Sequence, residues 1–338
     1  MDVSVVCPFY NEAALIEKNV WKMLHKLETL SESWELIVVN DGSTDDSLEM
    51  VQRIAEEAPG LRVLSYSFNQ GRGYALRTGI AAATGKVIVT TEVDLSWGED
   101  IVHELLAAMY RWPEVDIVVA SPHLEEGGYE NVPWNRVRLS QWGNHVIRAC
   151  MSDAVTMNTG MTRAYRREVI QSLPLSEKSK EFHLEVILKA SALGMTIREI
   201  PAVLRWPVER RVNAKGRSIT SSSINRFIVS HSLFSLFGNP IRYIWTLSFG
   251  AFGLSLVFLI AAVVLFLLEL VSVYLALMSV SLFILAIVLF LFGIVVKQGS
   301  MVQRELWLMQ RQQLLQAPPV MDRRYDYDPS MAVKEHAD

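Results

Sequence analysis

The chain has 338 residues and a formal net charge of −4. That length suits about two domains, and no charge excess points to nucleic acid as a partner. Cys7 and Cys150 are the two cysteines; they provide neither a disulfide framework nor a zinc spacing, and a reducing compartment is natural. The chain opens on Asp2-Val3-Ser4-Val5-Val6-Cys7, a strand pattern with no basic segment and apolar stretch before it, so no cleaved leader is expected.

Taken in order, the pattern predicts a first strand over 3–7. Ile16, Val20, Met23, Leu24, Leu27 and Leu30 then fall on one helical face. A second strand covers 35–39. Asp45 and Asp46 start a helix running towards Glu57, where acidic residues suit the helix dipole, and Pro59-Gly60 ends it. A third strand is expected over 62–66, a helix over 71–83, a strand over 86–90, a helix over 98–110 and a strand over 116–120. Repeated strand–helix–strand units imply an α/β domain with a mainly parallel sheet and helices on both faces, with room for a mixed edge strand. The stretch 125–151 is irregular. Residues 158–163 read as extended, 180–193 as a helix stopped by Gly194, and 196–199 as a further strand.

Hydrophobicity concentrates near the C-terminus. Between Arg242 and Lys297 the only charged residue is Glu269. A bilayer-spanning helix needs about 20 apolar residues, so 243–268 and 270–296 each suffice for one span, with the turn near Glu269. The turn carries no Lys or Arg, whereas Arg242, Lys297, Arg304 and Arg311 flank the outer ends. The positive-inside rule then puts both termini and the N-terminal domain in the cytoplasm. Ahead of the spans, Ile224, Phe227, Ile228 and Phe234 give one side of a helix that either lies in the membrane interface or packs on the soluble domain. A Gln-rich helix is expected from 298 to about 316, followed by a poorly ordered polar tail.

Four strand ends carry polar clusters. They are Pro8-Phe9-Tyr10-Asn11-Glu12, Asn40-Asp41-Gly42-Ser43-Thr44-Asp45, Asn69-Gln70-Gly71-Arg72-Gly73, and the acidic pair Glu92-Val93-Asp94. In an extended chain residues i and i+2 point the same way, so Glu92 and Asp94 aim two carboxylates into one space. Beyond the carboxyl end of a strand, where α/β sheets bind ligands, such a pair suits a divalent cation carrying a diphosphate; alone, it also reads as a solvated turn.

In this order, the four clusters resemble the nucleotide-sugar half of an inverting family-2 glycosyltransferase with the GT-A fold, a Rossmann-like, mainly parallel sheet. More narrowly, they are similar to the dolichol-phosphate mannose synthase type, which glycosylates polyprenyl phosphates. The resemblance covers 3–204, and the two C-terminal spans are similar to those of bacterial and archaeal relatives. It implies a membrane-bound enzyme moving a sugar from a nucleotide-diphosphate sugar to a polyprenyl phosphate. The implied organisation is a cytoplasmic GT-A domain (1–217), an interfacial amphipathic helix (218–240), a transmembrane hairpin (241–298), and a cytoplasmic C-terminal helix with a flexible tail (299–338). Hairpin anchors can associate, which allows a homo-oligomer.

Residue by residue, the resemblance implies nucleotide contacts from Pro8, Tyr10, Asn11 and Glu12, with Asp41 at the base. Gly71 and Arg72 stand in the family's N-x-G-K-G turn, with Arg for Lys. Asp94 matches the second acid of the family's D-x-D, so Asp94, with Glu92 near it, would hold Mg²⁺ or Mn²⁺. Arg136-Val137-Arg138-Leu139-Ser140 keeps the family's R-x-x-x-S spacing. Positions four apart share a helix face, and a guanidinium with a hydroxyl can hold a phosphate. Arg136 and Ser140 would thus bind the acceptor phosphate and, with Asp94, carry the transfer; a basic helix on an acidic membrane is the alternative.

Three departures stand out. Glu92 replaces Asp. Ser121 is followed by Pro122 where the family often has Arg, leaving His123 or Arg163 as substitutes. Thr156-Met157-Asn158-Thr159-Gly160-Met161 lacks the acid of the family's D-x-T-S-G-F. They keep open a transferase acting on a hydroxyl acceptor, with His183 or Glu185 as its base, and a non-catalytic nucleotide-sugar-binding scaffold.

Overall fold

The computed structural model describes residues 1–132, 134, 137–138, 155–158, 160–179, 181–205, 240–270 and 272–316. Its first half alternates as expected: β1 (Val3–Phe9), α1 (Ile16–Leu27), β2 (Trp34–Asn40), α2 (Ser47–Glu57), β3 (Leu61–Ser65), α3 (Arg72–Ala82), β4 (Val87–Thr90), α4 (Ile101–Arg111) and β5 (Ile117–Ser121). There follow β6 (Gly128–Glu130), β7 (Arg163–Arg166), α5 (Arg167–Ser172), α6 (Phe182–Ala192), β8 (Ile197–Pro201) and β9 (Val203–Arg205). The last described elements are two long helices, α7 (Pro240–Leu267) and α8 (Val273–Gln316).

The main sheet has seven strands in the order β3-β2-β1-β4-β7-β5-β8, and β6 pairs with β9 in a small second sheet. β1 runs parallel to β2 and β4, and β5 runs parallel to β8. Leu36, Ile37, Val38 and Val39 of β2 are all fully buried, as a parallel strand covered by helices on both faces requires. This geometry brings the carboxyl ends of β1, β2 and β4 together along one edge.

The antiparallel strand is β7, which lies inside the sheet between β4 and β5, not at an edge. The extended stretch read over 158–163 becomes a strand only at Arg163. Arg163 is itself fully buried and donates to the backbone carbonyls of His183 (3.0 Å) and Asn158 (2.7 Å). An arginine that crosses the core to satisfy carbonyls looks like a surface residue in the sequence, and this hides the strand.

Between α7 and α8 the turn falls at Glu269, which adopts a left-handed φ of 60°. Both helices are long and apolar enough to cross a membrane, and few of their residues are buried within the chain. A buried soluble hairpin would show the opposite. Ser255 donates to the Ser279 carbonyl (2.9 Å), Ser279 donates back to that of Ser255 (3.0 Å), and Ser248 donates to that of Ala286 (2.8 Å). Trp245 stacks on Phe290 with centroids 5.9 Å apart.

The second span and the Gln-rich helix, expected as separate pieces, form one helix of 44 residues. At ~1.5 Å per residue that is about 66 Å, roughly twice the hydrocarbon thickness. Gly293 and Gly299 each cost a helix interior only about 1 kcal/mol and do not break it. The far end returns to the sheet domain. Arg311 Nε donates to Ser172 Oγ at the end of α5 (3.1 Å), and the Lys189 ammonium of α6 lies 5.3 Å from the Trp307 ring centroid.

Candidate donor-side site

The loops after β1 and β2 are fastened to one another. Asn11, at φ 54°, donates its amide to Ser43 Oγ (3.0 Å) and accepts the Thr44 amide on Oδ1 (2.8 Å). The Glu12 amide donates to Ser47 Oγ (2.8 Å), and Asp45 accepts the Ala13 amide (3.1 Å) and the Ser47 hydroxyl (2.5 Å). Burial pushes the Asp45 carboxyl up, but these hydrogen bonds outweigh it and hold it below its ordinary range. Asn is one of the few residues that tolerates a left-handed φ, and it uses its side chain locally when it does.

Asp41 is 4% exposed and organises the next turn. Its carboxylate accepts the Tyr66 hydroxyl (2.6 Å) and the amides of Gln70 (2.8 Å) and Gly71 (3.1 Å). Gly42 sits at φ +67°, where an added Cβ would lie 2.4 Å from the Phe68 carbonyl carbon and 2.5 Å from the Asn69 nitrogen. Gly71, at φ +98°, begins α3. The turn therefore places helix-terminal amides beside the cavity, a favourable location for phosphate oxygens.

The acidic corner follows β4. Asp94 is buried and accepts the Ser96 amide on Oδ1 (3.0 Å); Ser96 Oγ donates to Glu92 Oε2 (2.7 Å). Leu95 between them takes φ 53°, a costly conformation for a branched apolar residue, which these bonds and the Arg205 amide on the Ser96 carbonyl (2.6 Å) hold in place. Across the gap, Arg72 Nη1 lies 3.3 Å from Glu92 Oε1.

These groups enclose one cavity of about 290 Å³. Pro8, Tyr10, Glu12, Asp41, Gly71, Arg72, Glu92 and Asp94 all line it. Asn11 is not among its lining residues and instead fixes the turn that presents Tyr10. Val93 and Met161 also form its wall, and sequence reasoning did not find them. For Met161 the available signal was its position at the end of the altered D-x-T-S-G-F stretch. Arg136 and Ser140 lie outside the described residues.

Other residues weighed from the sequence have different duties. Arg163 is spent on carbonyls in the core. His123 meets the Tyr129 hydroxyl through Nε2 (3.2 Å). His183 is 1% exposed, and burial, then the charges of Arg163 and Arg72, push its imidazole well below its ordinary range, so it is neutral. Glu185 accepts the Ser176 amide (3.0 Å), the Glu177 amide (2.9 Å) and Lys189 Nζ (2.8 Å). A carboxylate engaged in this way, away from the cavity wall, is a poor general base.

Among the described residues the charged groups lining the cavity are Glu12, Asp41, Arg72, Glu92 and Asp94, with no thiol or imidazole beside them. Burial, then the carboxylates of Asp94, Glu92 and Glu12, push the Cys7 thiol beneath it well above its ordinary range, which marks a concentration of negative charge. Oxygen ligands suit a hard cation. Among the described residues no three His, Cys, Asp or Glu side chains form a ready metal cluster. The carboxylates of this lining are an oxygen donor set that suits a hard divalent cation such as Mg²⁺ or Mn²⁺.

Residues 4–173 match the family model described as Glycosyl transferase family 2. The chain is 30% identical over 173 residues to an undecaprenyl-phosphate 4-deoxy-4-formamido-L-arabinose transferase of Enterobacter sp. (strain 638), a match covering 51% of this chain and 50% of that one. It is 25% identical over 221 residues to a dolichol-phosphate mannosyltransferase of Pyrococcus furiosus, covering 65% and 61%. The chain thus spans between half and two thirds of the length of these relatives. Among solved structures, glucosyl-3-phosphoglycerate synthase from Mycobacterium tuberculosis, in complex with UDP, superposes with a TM-score of 0.51 at 21% identity, over 70% of this chain and 79% of that one. That likeness is one of fold.

Proposed function

The chain belongs to glycosyl transferase family 2, and from that premise we propose that it is a membrane-bound inverting transferase moving a sugar from a nucleotide-diphosphate sugar to a polyprenyl phosphate. The observation that carries this reading is the convergence of Tyr10, Glu12, Asp41, Arg72, Glu92 and Asp94 on one cavity, in a chain that also carries two long apolar helices. The relatives named for undecaprenyl-phosphate and dolichol-phosphate transfer support the acceptor class.

Tyr10 is 44% exposed, so its ring is open for a nucleobase to stack on. The amide-lined start of α3 and Arg72 take the diphosphate. Asp94, with Glu92 beside it, would hold Mg²⁺ or Mn²⁺, which supplies charge neutralisation for the leaving diphosphate. Arg136 and Ser140 hold the phosphate of the lipid and orient one of its oxygens. That oxygen forms a bond to the anomeric carbon from the face opposite the leaving group. The bond to the nucleoside diphosphate breaks, its electron pair leaves with the diphosphate, and configuration inverts. A phosphate is already anionic near neutral pH, so no general base is needed. The engaged Glu185 and buried His183 agree with this better than with a hydroxyl acceptor.

In this reading the catalytic domain and both termini face the cytoplasm, and the hairpin holds the site at the membrane surface where the lipid headgroup lies. The test is a panel of radiolabelled UDP- and GDP-sugars offered to the purified full chain with undecaprenyl or dolichyl phosphate, with and without Mn²⁺. A metal-dependent product extractable into organic solvent is expected. Product on a hydroxyl acceptor alone would overturn the reading.

A further inference from the structure

The end of α8 lies far from the cavity in sequence, yet a continuous series of contacts joins them. Trp307, half-buried, sits with its ring 5.3 Å from the Lys189 ammonium. Lys189 is itself buried and donates to Glu185 Oε1 (2.8 Å) and to the Pro174 carbonyl. Glu185 in turn accepts the amides of Ser176 and Glu177. Residues 174–177 of the segment 174–179 are thereby tied to one buried ion pair, and the Trp307 ring lies against that pair.

The same segment is the floor of the glycine turn. The Tyr74 amide donates to the Lys178 carbonyl (3.0 Å), and Arg77 Nη1 donates to that of Leu175 (3.0 Å). A Cβ on Gly71 would lie 2.6 Å from the Lys178 oxygen, and one on Gly73 would lie 2.5 Å from the Ser179 oxygen. Backbone is packed on backbone here, so movement of the segment moves Gly71 and Arg72, which line the cavity.

We propose that Trp307 is a positioning residue for the donor site, acting through the Lys189–Glu185 pair and the segment 174–179 to hold the glycine turn in place. Removing the ring abolishes the cation–π contact and opens the pair to water, which weakens the Coulomb attraction that keeps Lys189 in position. The helix that crosses the membrane would then also brace the site, so that the catalytic domain needs α8 for more than anchoring. This inference uses the donor-site reading only for its consequence; the brace itself is a statement about backbone order.

The test is amide hydrogen exchange on the full chain in detergent micelles, comparing the wild type with Trp307→Ala and Trp307→Phe. Peptides covering 70–74 and 174–179 should exchange about tenfold faster in Trp307→Ala, while those of β1 and β2 keep their rates. Trp307→Phe, which keeps an aromatic face, should restore most of the protection. Titration with UDP and GDP should show weaker binding of whichever the wild type binds, by about fivefold, in the alanine variant alone. Unchanged exchange in both peptides would overturn the proposal. So would equal acceleration in β1 and β2, or a phenylalanine variant as labile as the alanine one. A wild type that binds neither nucleotide would sink the donor-site reading, and the exchange rates alone would then decide the brace.

Discussion

Arg72 and Glu92 face one another across the cavity, 3.3 Å apart, and join the glycine turn at the start of α3 to the acidic corner after β4. Both side chains are partly exposed, so the pair itself contributes little to stability. Its effect is positional: Arg72 holds one oxygen of Glu92 and Ser96 the other, and in the function proposed above Asp94 is the principal ligand for the cation. We expect Asp94→Asn to lower transfer by about a thousandfold or more, and Glu92→Asp to keep it within about tenfold. Initial rates across a Mn²⁺ titration check both. Equal and complete loss in the two variants would make Glu92 a direct ligand.

The legible part of this site was local in the chain. Tyr10 with Glu12, Asp41 with Gly42, and Gly71 with Arg72 each lie within a few residues after a strand, and parallel topology alone brings such ends together. What escaped depended on distant partners. Arg163 reads as a substitute for the family's missing arginine until Asn158 and His183 offer it carbonyls. Glu185 reads as a titratable group on a helix until the amides of Ser176 and Glu177 fill its oxygens. The docking of Trp307 on Lys189 spans more than a hundred residues and leaves no periodic signal. The pattern placed the turn near Glu269 and two apolar stretches around it, but the unbroken run of α8 past Lys297 follows from the absence of any strong helix breaker, which hydropathy does not register.

Gly42 provides a second test. Its positive φ and the 2.4 Å approach of a Cβ to the Phe68 carbonyl carbon leave no room for a side chain. The obstruction is backbone, so a rotamer change cannot relieve it. Gly42→Ala should cost about 1–3 kcal/mol of stability and weaken nucleotide binding by displacing Asn69 and the turn after it. Thermal unfolding in detergent and a nucleotide titration measure the two effects. An alanine variant with wild-type values for both would show that the turn can shift at no cost.

The Glu185 carboxylate gives a pH dependence with a definite sign. Burial pushes its pKa up, but the hydrogen bonds from Lys189, Glu177 and Ser176 outweigh that, and the net shift is downward. A carboxyl depressed in the folded state adds stability that is complete above its unfolded pKa and is lost as pH falls through the folded one. Protection of the Ser176 and Glu177 amides, corrected for intrinsic exchange, should therefore hold steady from neutral pH down to about 4.5 and fall below that. Glu185→Gln should remove most of this acid response. Protection lost already between pH 7 and 5 would assign the transition to another group.

The hairpin offers a test independent of the catalytic domain. Ser255 and Ser279 donate to one another's carbonyls across α7 and α8. Lipid tails compete for apolar side chains as well as a neighbouring helix does, so polar bonds and close packing hold such a pair together. Ser255→Ala and Ser279→Ala each remove one hydroxyl-to-carbonyl bond, and each, read by unfolding in mixed micelles, should cost about 0.6 kcal/mol and at most about 1.7. The value is modest because an isolated helix can return each hydroxyl to a carbonyl of its own previous turn. Two single variants as stable as the wild type would mean that the serines do not meet in the micelle-bound hairpin.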